Sequence, residues 1–358
     1  MASTILDHRR HRDLQPATAL WSLYRPDKAP WRFKSRSIAA ARRWQREVRA
    51  ALATAINTKM LKPVPPAPRL IERVEREDHV REKLVLRTSA QTRMPVYVLK
   101  PKGARGRLPV VVAFHGHGYG VKDIVGLWED GEERKTPDGY HKDFAVALCR
   151  AGFLVAAPEI SCFGERQTDF SYLREVGVGA EAPRTCHHTA YFAFHLGGSV
   201  VGLRVYDGLR LVDYLATRKD TDMHRLGAMG ISGGGMHTLF SSCIDTRIKA
   251  SVISGYYSTF QDSILAMHHC ACNYVPGLGR FGEMHDLIGL IAPRPVLIEA
   301  GSHDNIFPIR AVRKAVATAR DVYGVFGARD AVHADLFEGR HCISGRKAYD
   351  FLTRCLGA

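Results

Sequence analysis

The chain has 358 residues, of which 46% are hydrophobic, and it carries a formal net charge of +15 at pH 7. This length and composition suit one large folded domain with a smaller appendage. No internal repeat is apparent, and no run approaches the roughly 18 consecutive apolar residues of a membrane span. The sequence therefore predicts no transmembrane helix.

The first 70 residues differ in composition from the rest of the chain. They hold 15 lysines and arginines against four acidic residues, which accounts for +11 of the formal charge. Asp7 and Asp13, together with the lack of an apolar h-region, argue against a transit or secretion signal. With eight cysteines and no such signal, we expect reduced thiols and a cytoplasmic location.

A single amphipathic helix is predicted over residues 36–57 of this extension. Its apolar side chains recur at intervals of three and four residues, at Ile38, Ala41, Trp44, Val48, Leu52 and Ile56. The opposite, solvated face is expected to carry most of Arg42, Arg43, Arg46 and Arg49. A stiff extended linker follows, because prolines occupy positions Pro63, Pro65, Pro66 and Pro68.

Two roles are open for this extension, residues 1–70. The helix can pack its apolar stripe on the core of the protein, or on a second subunit to form a homodimer. Alternatively, it is a basic arm for an anionic partner such as nucleic acid, acidic polysaccharide or lipid headgroups. We favour packing and expect no nucleic acid partner, because a solvated arm has no use for an apolar stripe sustained over about five turns.

Residues 71–358 are predicted to form one α/β catalytic domain with a mostly parallel, doubly wound sheet. Continuous apolar runs typical of buried parallel strands lie at 110–114, 153–157, 225–229 and 295–301. Helical patterns alternate with these runs, at 140–150, at 200–215 and from Met236 onward.

The first candidate site element is the loop after the run 110–114, with the sequence His115-Gly116-His117-Gly118. A backbone N–H in a loop at this place can stabilise an oxyanion. We assign that role to the amide of His117. The imidazoles of His115 and His117 are expected to cap a buried loop by hydrogen bonding.

Charged residues follow the next strand, at Glu159, Glu165 and Arg166. They lie beyond the carboxyl end of that strand, where they can contact polar groups of a substrate. A buried structural ion pair is an equal alternative.

The strongest chemical motif is the GxSxG turn Gly230-Ile231-Ser232-Gly233-Gly234, between an apolar strand and a helix. Such a turn is a nucleophile elbow, which needs small flanking residues so that strand and helix can approach. It raises Ser232 Oγ clear of the carboxyl edge of the sheet. It also directs the amide of Gly233, at the helix N-terminus, toward an oxyanion.

Histidine and cysteine cluster beyond the elbow, in His268-His269-Cys270-Ala271-Cys272. Sulfur and imidazole together suggest zinc, but the CxC pair lacks the two-residue spacer of a zinc knuckle and no second pair follows. The sequence therefore predicts no metal and no other cofactor. Tyr256, His268 and His269 are expected to line an acyl pocket opposite Ser232.

A base and an acid that orients it are required to activate Ser232, and both are predicted at the last strands. Asp304 follows the run 295–301, and His341 lies on a glycine-flanked loop after the strand-like stretch 334–337. Three strand ends thus deliver Ser232, Asp304 and His341 to one rim of the sheet. The alternatives are the acids Asp286, Asp330 and Asp335 and the bases His303 and His333.

Six motifs give the sequence a specific resemblance. They are HGHG from 115, AAPEISCFGER from 156, GISGGGM from 230, CACNYVP from 270, IAPRP from 291 and DNIFP from 304. From about residue 80 to the last residue, the chain resembles the acetyl xylan esterase-like branch of the dienelactone hydrolase group. This group lies within the α/β-hydrolase superfamily.

The resemblance implies an α/β-hydrolase fold with a triad of Ser232, Asp304 and His341, and oxyanion amides from Gly233 and His117. One departure concerns the nucleophile. Dienelactone hydrolases proper use a cysteine, whereas this chain has Ser232, which favours hydrolysis of esters over opening of a dienelactone.

The sequence therefore predicts a serine carboxylic ester hydrolase that cleaves short-chain, acetyl-type esters through an acyl-enzyme. Its expected substrate is a small ester or an acetylated carbohydrate. A serine peptidase or amidase with the same triad is the nearest alternative, although related peptidases often carry a large all-β domain, for which the residues before the core are too few. An anion-binding protein on a hydrolase scaffold is the alternative of another class.

Overall fold

The computed structural model describes residues 7–175, 177 and 184–358, and the nine strands within these residues form one sheet. The strands are β1 (Arg69–Glu75), β2 (His79–Arg87), β3 (Arg93–Pro101), β4 (Leu108–Phe114), β5 (Leu154–Pro158), β6 (Thr221–Ile231), β7 (Ala250–Ser254), β8 (Val296–Gly301) and β9 (Val332–Phe337). Their order across the sheet is β1-β2-β3-β5-β4-β6-β7-β8-β9. Three neighbouring pairs are antiparallel: β1 with β2, β2 with β3, and β3 with β5. The remaining five pairs in this order, from β5–β4 to β8–β9, are parallel.

The described residues form ten α-helices, several of which pack on the two faces of this sheet. They are α1 (Pro16–Leu23), α2 (Ile38–Ala55), α3 (Phe144–Arg150), α4 (Tyr172–Glu175), α5 (Thr185–His195), α6 (Val200–Leu215), α7 (Gly233–Ile244), α8 (Met284–Leu287), α9 (Ile309–Gly324) and α10 (Ala348–Leu356). Val111 of β4 packs with residues of α3 and α10, and its neighbour Val112 packs with residues of α6. Successive side chains of a strand point to opposite faces, so this pattern is that of the predicted doubly wound α/β fold.

The helix predicted at 140–150 begins later than expected, at Phe144. Lys142 and Asp143 adopt φ angles of 50° and 48°, which a right-handed helix excludes. Tyr140 is therefore released from the helix into the loop above the carboxyl edge of the sheet. Within the described residues, no helix is both long enough and apolar enough to cross a membrane.

The extension packs against the α/β core of its own chain. Val48 and Leu52 of α2, and Ile56 just beyond its last residue, are fully buried in one cluster with residues of α6 and α7. Gln45 donates two hydrogen bonds, of 2.7 and 2.6 Å, to the carbonyls of Gly289 and Ala292. Most of the apolar stripe that suggested a homodimer contact is thus covered by the protein's own core, whereas Ile38 at its first turn is 55% exposed.

The arginines of α2 divide between solvent and the core. Arg42, Arg43 and Arg46 are exposed, as the helical pattern indicates. Arg49 instead donates hydrogen bonds to the carbonyl oxygens of Cys243 (2.8 Å) and Leu290 (2.7 Å). Its long side chain keeps its apolar stem against the core while the guanidinium satisfies carbonyls at the edge of the contact. The basic charge of the extension therefore serves in part to attach it.

Leu52→Ala is expected to lower the free energy of unfolding by about 2 to 5 kcal/mol, because it removes a fully buried side chain from this contact. Urea denaturation of the full chain measures the change. Arg46→Ala, on the exposed face of the same helix, is the control and should change stability by less than about 0.5 kcal/mol. Equal, small effects of both substitutions would contradict the packing described here.

Candidate active site

Ser232 lies on a strained turn between β6, which ends at Ile231, and α7, which begins at Gly233. Its φ and ψ angles are 57° and −119°, a combination that non-glycine residues rarely adopt. The amide of Ser232 donates a 3.0 Å hydrogen bond to the carbonyl of Ser254 at the end of β7, which helps to hold the turn. This geometry is that of the nucleophile elbow.

The glycines of the elbow are required by close approach of the backbone. A Cβ atom at Gly234 would lie 1.9 Å from the carbonyl oxygen of Phe114, at the end of β4. A Cβ atom at Gly230 would lie 2.4 Å from the carbonyl oxygen of Gly234. Any side chain at either position would push α7 away from the sheet and move the serine.

His341 and Asp304 form a hydrogen-bonded pair at the same edge of the sheet. The Nδ1 atom of His341 lies 2.6 Å from Oδ2 of Asp304, whose side chain is fully buried. The other carboxylate oxygen accepts hydrogen bonds from the amides of Ile306 (2.8 Å) and Phe307 (3.1 Å). Because Nδ1 donates its proton to the carboxylate, Nε2 is left as the acceptor, which is the tautomer that a general base needs.

One cavity of about 360 Å³ contains the elbow and the histidine. Within the described residues, Nε2 of His341 has no hydrogen-bond partner, although it is buried. The cavity is lined by His117, Tyr140, Ser232, Gly233, Tyr256, Met267, His268, His269, Cys270, Asn273, Ile306, Phe307 and His341. Ser232 and His341 therefore share one space, with Asp304 directly behind the imidazole.

The two amides expected to bind an oxyanion are at the cavity as well. No hydrogen bond within the described chain engages the amide of His117 or that of Gly233. Gly233 is the first residue of α7, so its N–H also benefits from the positive end of the helix dipole. The loop of His117 is held by Tyr140, whose hydroxyl donates to the His117 carbonyl.

The imidazoles of the HGHG loop have different surroundings. His115 is fully buried and caps the loop as expected, with Nδ1 2.7 Å from the carbonyl of Gly116 and Nε2 3.1 Å from the amide of Ile160. The ring of His117 does not cap the loop. Its Nε2 faces Cys272 Sγ at 3.6 Å, and its other edge lies over Gly233.

The three residues expected to contact the acyl group, Tyr256, His268 and His269, all line the cavity. Burial lowers the pKa of His269 and raises the pKa of Tyr256, so both side chains are neutral at pH 7. His269 Nε2 and the Tyr256 hydroxyl are buried without a hydrogen-bond partner in the described chain. Both groups are thus available to polar atoms of a substrate.

Glu165 and Arg166 do not reach the cavity, which corrects their predicted contact with a substrate. Arg166 Nη1 lies 2.6 Å from Asp207 Oδ2 in a largely buried ion pair. Glu165 Oε1 lies 2.9 Å from Nζ of Lys83 on β2. Both pairs join segments distant in sequence, so spacing alone could not distinguish the structural alternative from the functional one.

The rival acids and bases have other partners or surroundings. Asp286 lies in the first turn of α8, where its side chain accepts a hydrogen bond of 2.9 Å from the amide of the N-cap residue Glu283. Asp335 is buried and accepts a hydrogen bond from Ser344. The side chain of His303 is 64% exposed. None of these residues lines the cavity of Ser232.

Sequence reasoning missed two aromatic residues of the site. Phe307 stacks on the ring of His341, with 5.9 Å between centroids, and Tyr140 lies 5.6 Å from the same ring on another side. Phe307 belongs to the DNIFP motif, so its place next to Asp304 was a usable signal. No sequence signal indicated Tyr140, because its segment continues the helical pattern of α3.

Comparison with known proteins agrees with this architecture. The model of the Abhydrolase family matches residues 22–325. The chain belongs to this family. The prediction of a hydrolytic enzyme of the α/β-hydrolase superfamily is thereby confirmed.

Individual relatives are similar over most of their length. The "Putative hydrolase YtaP" of Bacillus subtilis is 30% identical over 266 residues, which are 72% of this chain and 80% of the relative. A "putative acetyl xylan esterase" from Bacteroides fragilis has a similar structure, with a TM-score of 0.74, 19% identity and coverage of 90% of this chain and 82% of that one. A glucuronoyl esterase from Solibacter usitatus gives a TM-score of 0.59 at 16% identity, covering 87% and 91% of the two chains.

Proposed function

We propose that this member of the Abhydrolase family is a serine carboxylic ester hydrolase that acts on short-chain, acetyl-type esters through an acyl-enzyme. One observation carries the proposal. Ser232, on a strained elbow, shares a cavity with Nε2 of His341, and the other ring nitrogen of His341 is bonded to the buried Asp304. This combination is what activation of a serine hydroxyl requires.

The proposed reaction uses only groups of the chain. Ser232 Oγ attacks the ester carbonyl carbon while His341 Nε2 accepts the hydroxyl proton. The negative charge that develops on the carbonyl oxygen is stabilised by the amides of His117 and Gly233. The C–O bond to the alcohol then breaks, and His341 returns its proton to the leaving alkoxide. Asp304 stabilises the imidazolium in between.

Water completes the cycle. His341 takes a proton from a water molecule, the resulting hydroxide attacks the acyl-enzyme carbonyl, and the collapse of the second tetrahedral intermediate releases the carboxylic acid. The proton held by His341 returns to Ser232 Oγ. The proposal therefore includes no metal or organic cofactor in the chemical steps.

The lining of the cavity supports a small acyl group. Phe307 lies between Tyr256 and His269, with ring centroids 5.3 and 5.7 Å apart. These rings fill the space that a long acyl chain would need. Solved structures with this fold include proteins described as acetyl xylan esterases and as a glucuronoyl esterase. An acetylated carbohydrate, with its hydroxyls toward His268 and His269, is the substrate class that we propose.

The proposed location is the cytoplasm. None of the eight cysteines forms a disulfide in the structure, which supports a reducing compartment. The partner that we propose is the small-molecule substrate, since most of the apolar stripe of α2 is covered by the core.

Acyl length is expected to limit turnover, with a preference for acyl groups of about two to four carbons, because the aromatic wall closes the cavity. Initial rates on p-nitrophenyl esters from acetyl to octanoyl, at equal concentration, measure this preference. Acetylated xylo-oligosaccharides and p-nitroacetanilide are assayed beside them. Faster turnover of octanoyl than of acetyl esters would contradict the proposal, and equal cleavage of the anilide would favour the amidase alternative.

A further inference from the structure

Three cysteines and one histidine converge beside the cavity from separate parts of the chain. Cys186 lies in the first turn of α5, Cys270 and Cys272 follow β7, and His117 lies in the loop after β4. Their three Sγ atoms and one ring nitrogen all lie within 4.8 Å of one another. The sequence argument against zinc considered only the spacing around the CxC pair, and the fold supplies two further ligands.

We propose that Cys186, Cys270, Cys272 and His117 bind one Zn²⁺ ion in a closed tetrahedral site. Thiolate and imidazole are the ligands that structural zinc sites use, and a set of three cysteines and one histidine is one of their standard forms. Zn–S and Zn–N bonds of about 2.3 and 2.0 Å place neighbouring sulfur and nitrogen ligands about 3.5 Å apart. Cys272 Sγ and His117 Nε2 are already 3.6 Å apart.

The charge around the cluster points to the same chemistry. Arg204 of α6 is fully buried, and among the described residues its guanidinium meets two sulfur atoms and the Ser161 carbonyl (3.3 Å) rather than a carboxylate. Its guanidinium nitrogens lie 3.6 Å from Cys272 Sγ and 3.9 Å from Cys186 Sγ. A buried cation needs a counter-charge, and thiolates are the groups in reach that can provide it.

The charges balance when the metal binds. Each cysteine loses its proton to solvent as its Zn–S bond forms. Three thiolates and Zn²⁺ together carry one negative charge, which the guanidinium of Arg204 neutralises. The site stays closed to substrate, because four protein atoms complete the coordination and leave no position for a reactive water.

The surroundings orient the ligands and give the ion a path. Asn273 Nδ2 donates to the carbonyl of Cys270 (3.1 Å) and lies 3.9 Å from Cys272 Sγ, which fixes the CxC turn. Cys270 and His117 line the cavity, so an ion can enter from there. Bound zinc would join the loop after β4, α5 and the segment after β7. It would do so whether or not the protein hydrolyses esters.

The test measures zinc in the intact, untagged chain after expression in zinc-supplemented medium. We expect about one zinc per chain by mass spectrometry of the metal, and a lower Tm after removal by a chelator. Cys270→Ser is expected to reduce zinc to less than about 0.2 per chain. Cys355→Ser is the control, because this half-buried cysteine lies outside the cluster, and it should retain the zinc of the parent.

A second measurement does not depend on the variants. X-ray absorption at the zinc edge of the parent protein is expected to give three sulfur ligands and one nitrogen ligand. A chain without zinc, zinc bound only by oxygen and nitrogen, or copper in place of zinc would overturn the proposal. Titration of the denatured, unreduced protein in the presence of a chelator must also give eight thiols, since six would indicate a disulfide, which could withdraw ligands from the site.

Discussion

Ser232→Ala is expected to lower kcat/KM on a short acyl ester by a factor of about 10³ to 10⁶. The substitution removes the only atom that can form the acyl-enzyme in the proposed reaction, and it leaves the elbow intact because alanine is as small as serine. The melting temperature should therefore stay near that of the parent. Steady-state hydrolysis of p-nitrophenyl acetate and a thermal denaturation curve measure the two quantities.

Ser258→Ala is the matched control for this substitution. Ser258 is a fully buried serine after β7, it does not line the cavity, and its hydroxyl has no hydrogen-bond partner in the described chain. Its loss should leave both activity and stability close to the parent. If Ser232→Ala kept a tenth of the parent activity, the serine would not be the nucleophile, and a surface or water-mediated reaction would have to be considered.

The parts of the fold that the sequence predicted are those where one local pattern has one structural solution. The continuous apolar run at 110–114 became the fully buried end of β4, and the helical period at 200–215 became α6 with the same bounds. The glycines around Ser232 could be interpreted in the same way, because close approach of three backbones permits only glycine at Gly230 and Gly234. These features depend on near neighbours in the chain.

The sequence predictions were wrong where the position of a side chain depends on partners far apart in sequence. Arg166 forms an ion pair with Asp207 instead of facing the cavity, and no sequence pattern near Arg166 indicates this partner. Tyr140 left its helix because the two residues after it take positive φ angles. The His117 ring met Cys272 across 155 residues of chain. Contacts of this kind are decided by tertiary packing, which only the structure supplies.

The pairing of His341 with Asp304 is an intermediate case. Their positions after β9 and β8 follow from the parallel order of the sheet, since neighbouring parallel strands end at one edge. The 2.6 Å hydrogen bond and the full burial of the carboxylate are details of loop packing that strand order does not determine. The sequence thus predicted that His341 pairs with Asp304, whereas the tautomer of the imidazole could be assigned only from the geometry of the structure.

The double variant Ser232→Ala/His341→Ala is expected to be no slower than either single variant, within a factor of about three. In the proposed reaction the two residues act in one proton transfer, so removing the second has no further step to impair. His341→Ala alone should lose a factor of about 10³ or more on p-nitrophenyl acetate. Asp304→Asn should lose less, because it disturbs the orientation of the imidazole and leaves both reacting atoms in place.

The comparison is made on kcat/KM for all four variants at one pH, with circular dichroism to establish that each is folded. Independent residues would give a double variant slowed by the product of the two single losses, which would contradict a shared proton transfer. His303→Ala supplies the control, because this histidine is largely exposed and does not line the cavity. If His303→Ala lost a factor of about 10³ or more, His303 would be the general base, and the hydrogen bond of His341 to Asp304 would then be structural.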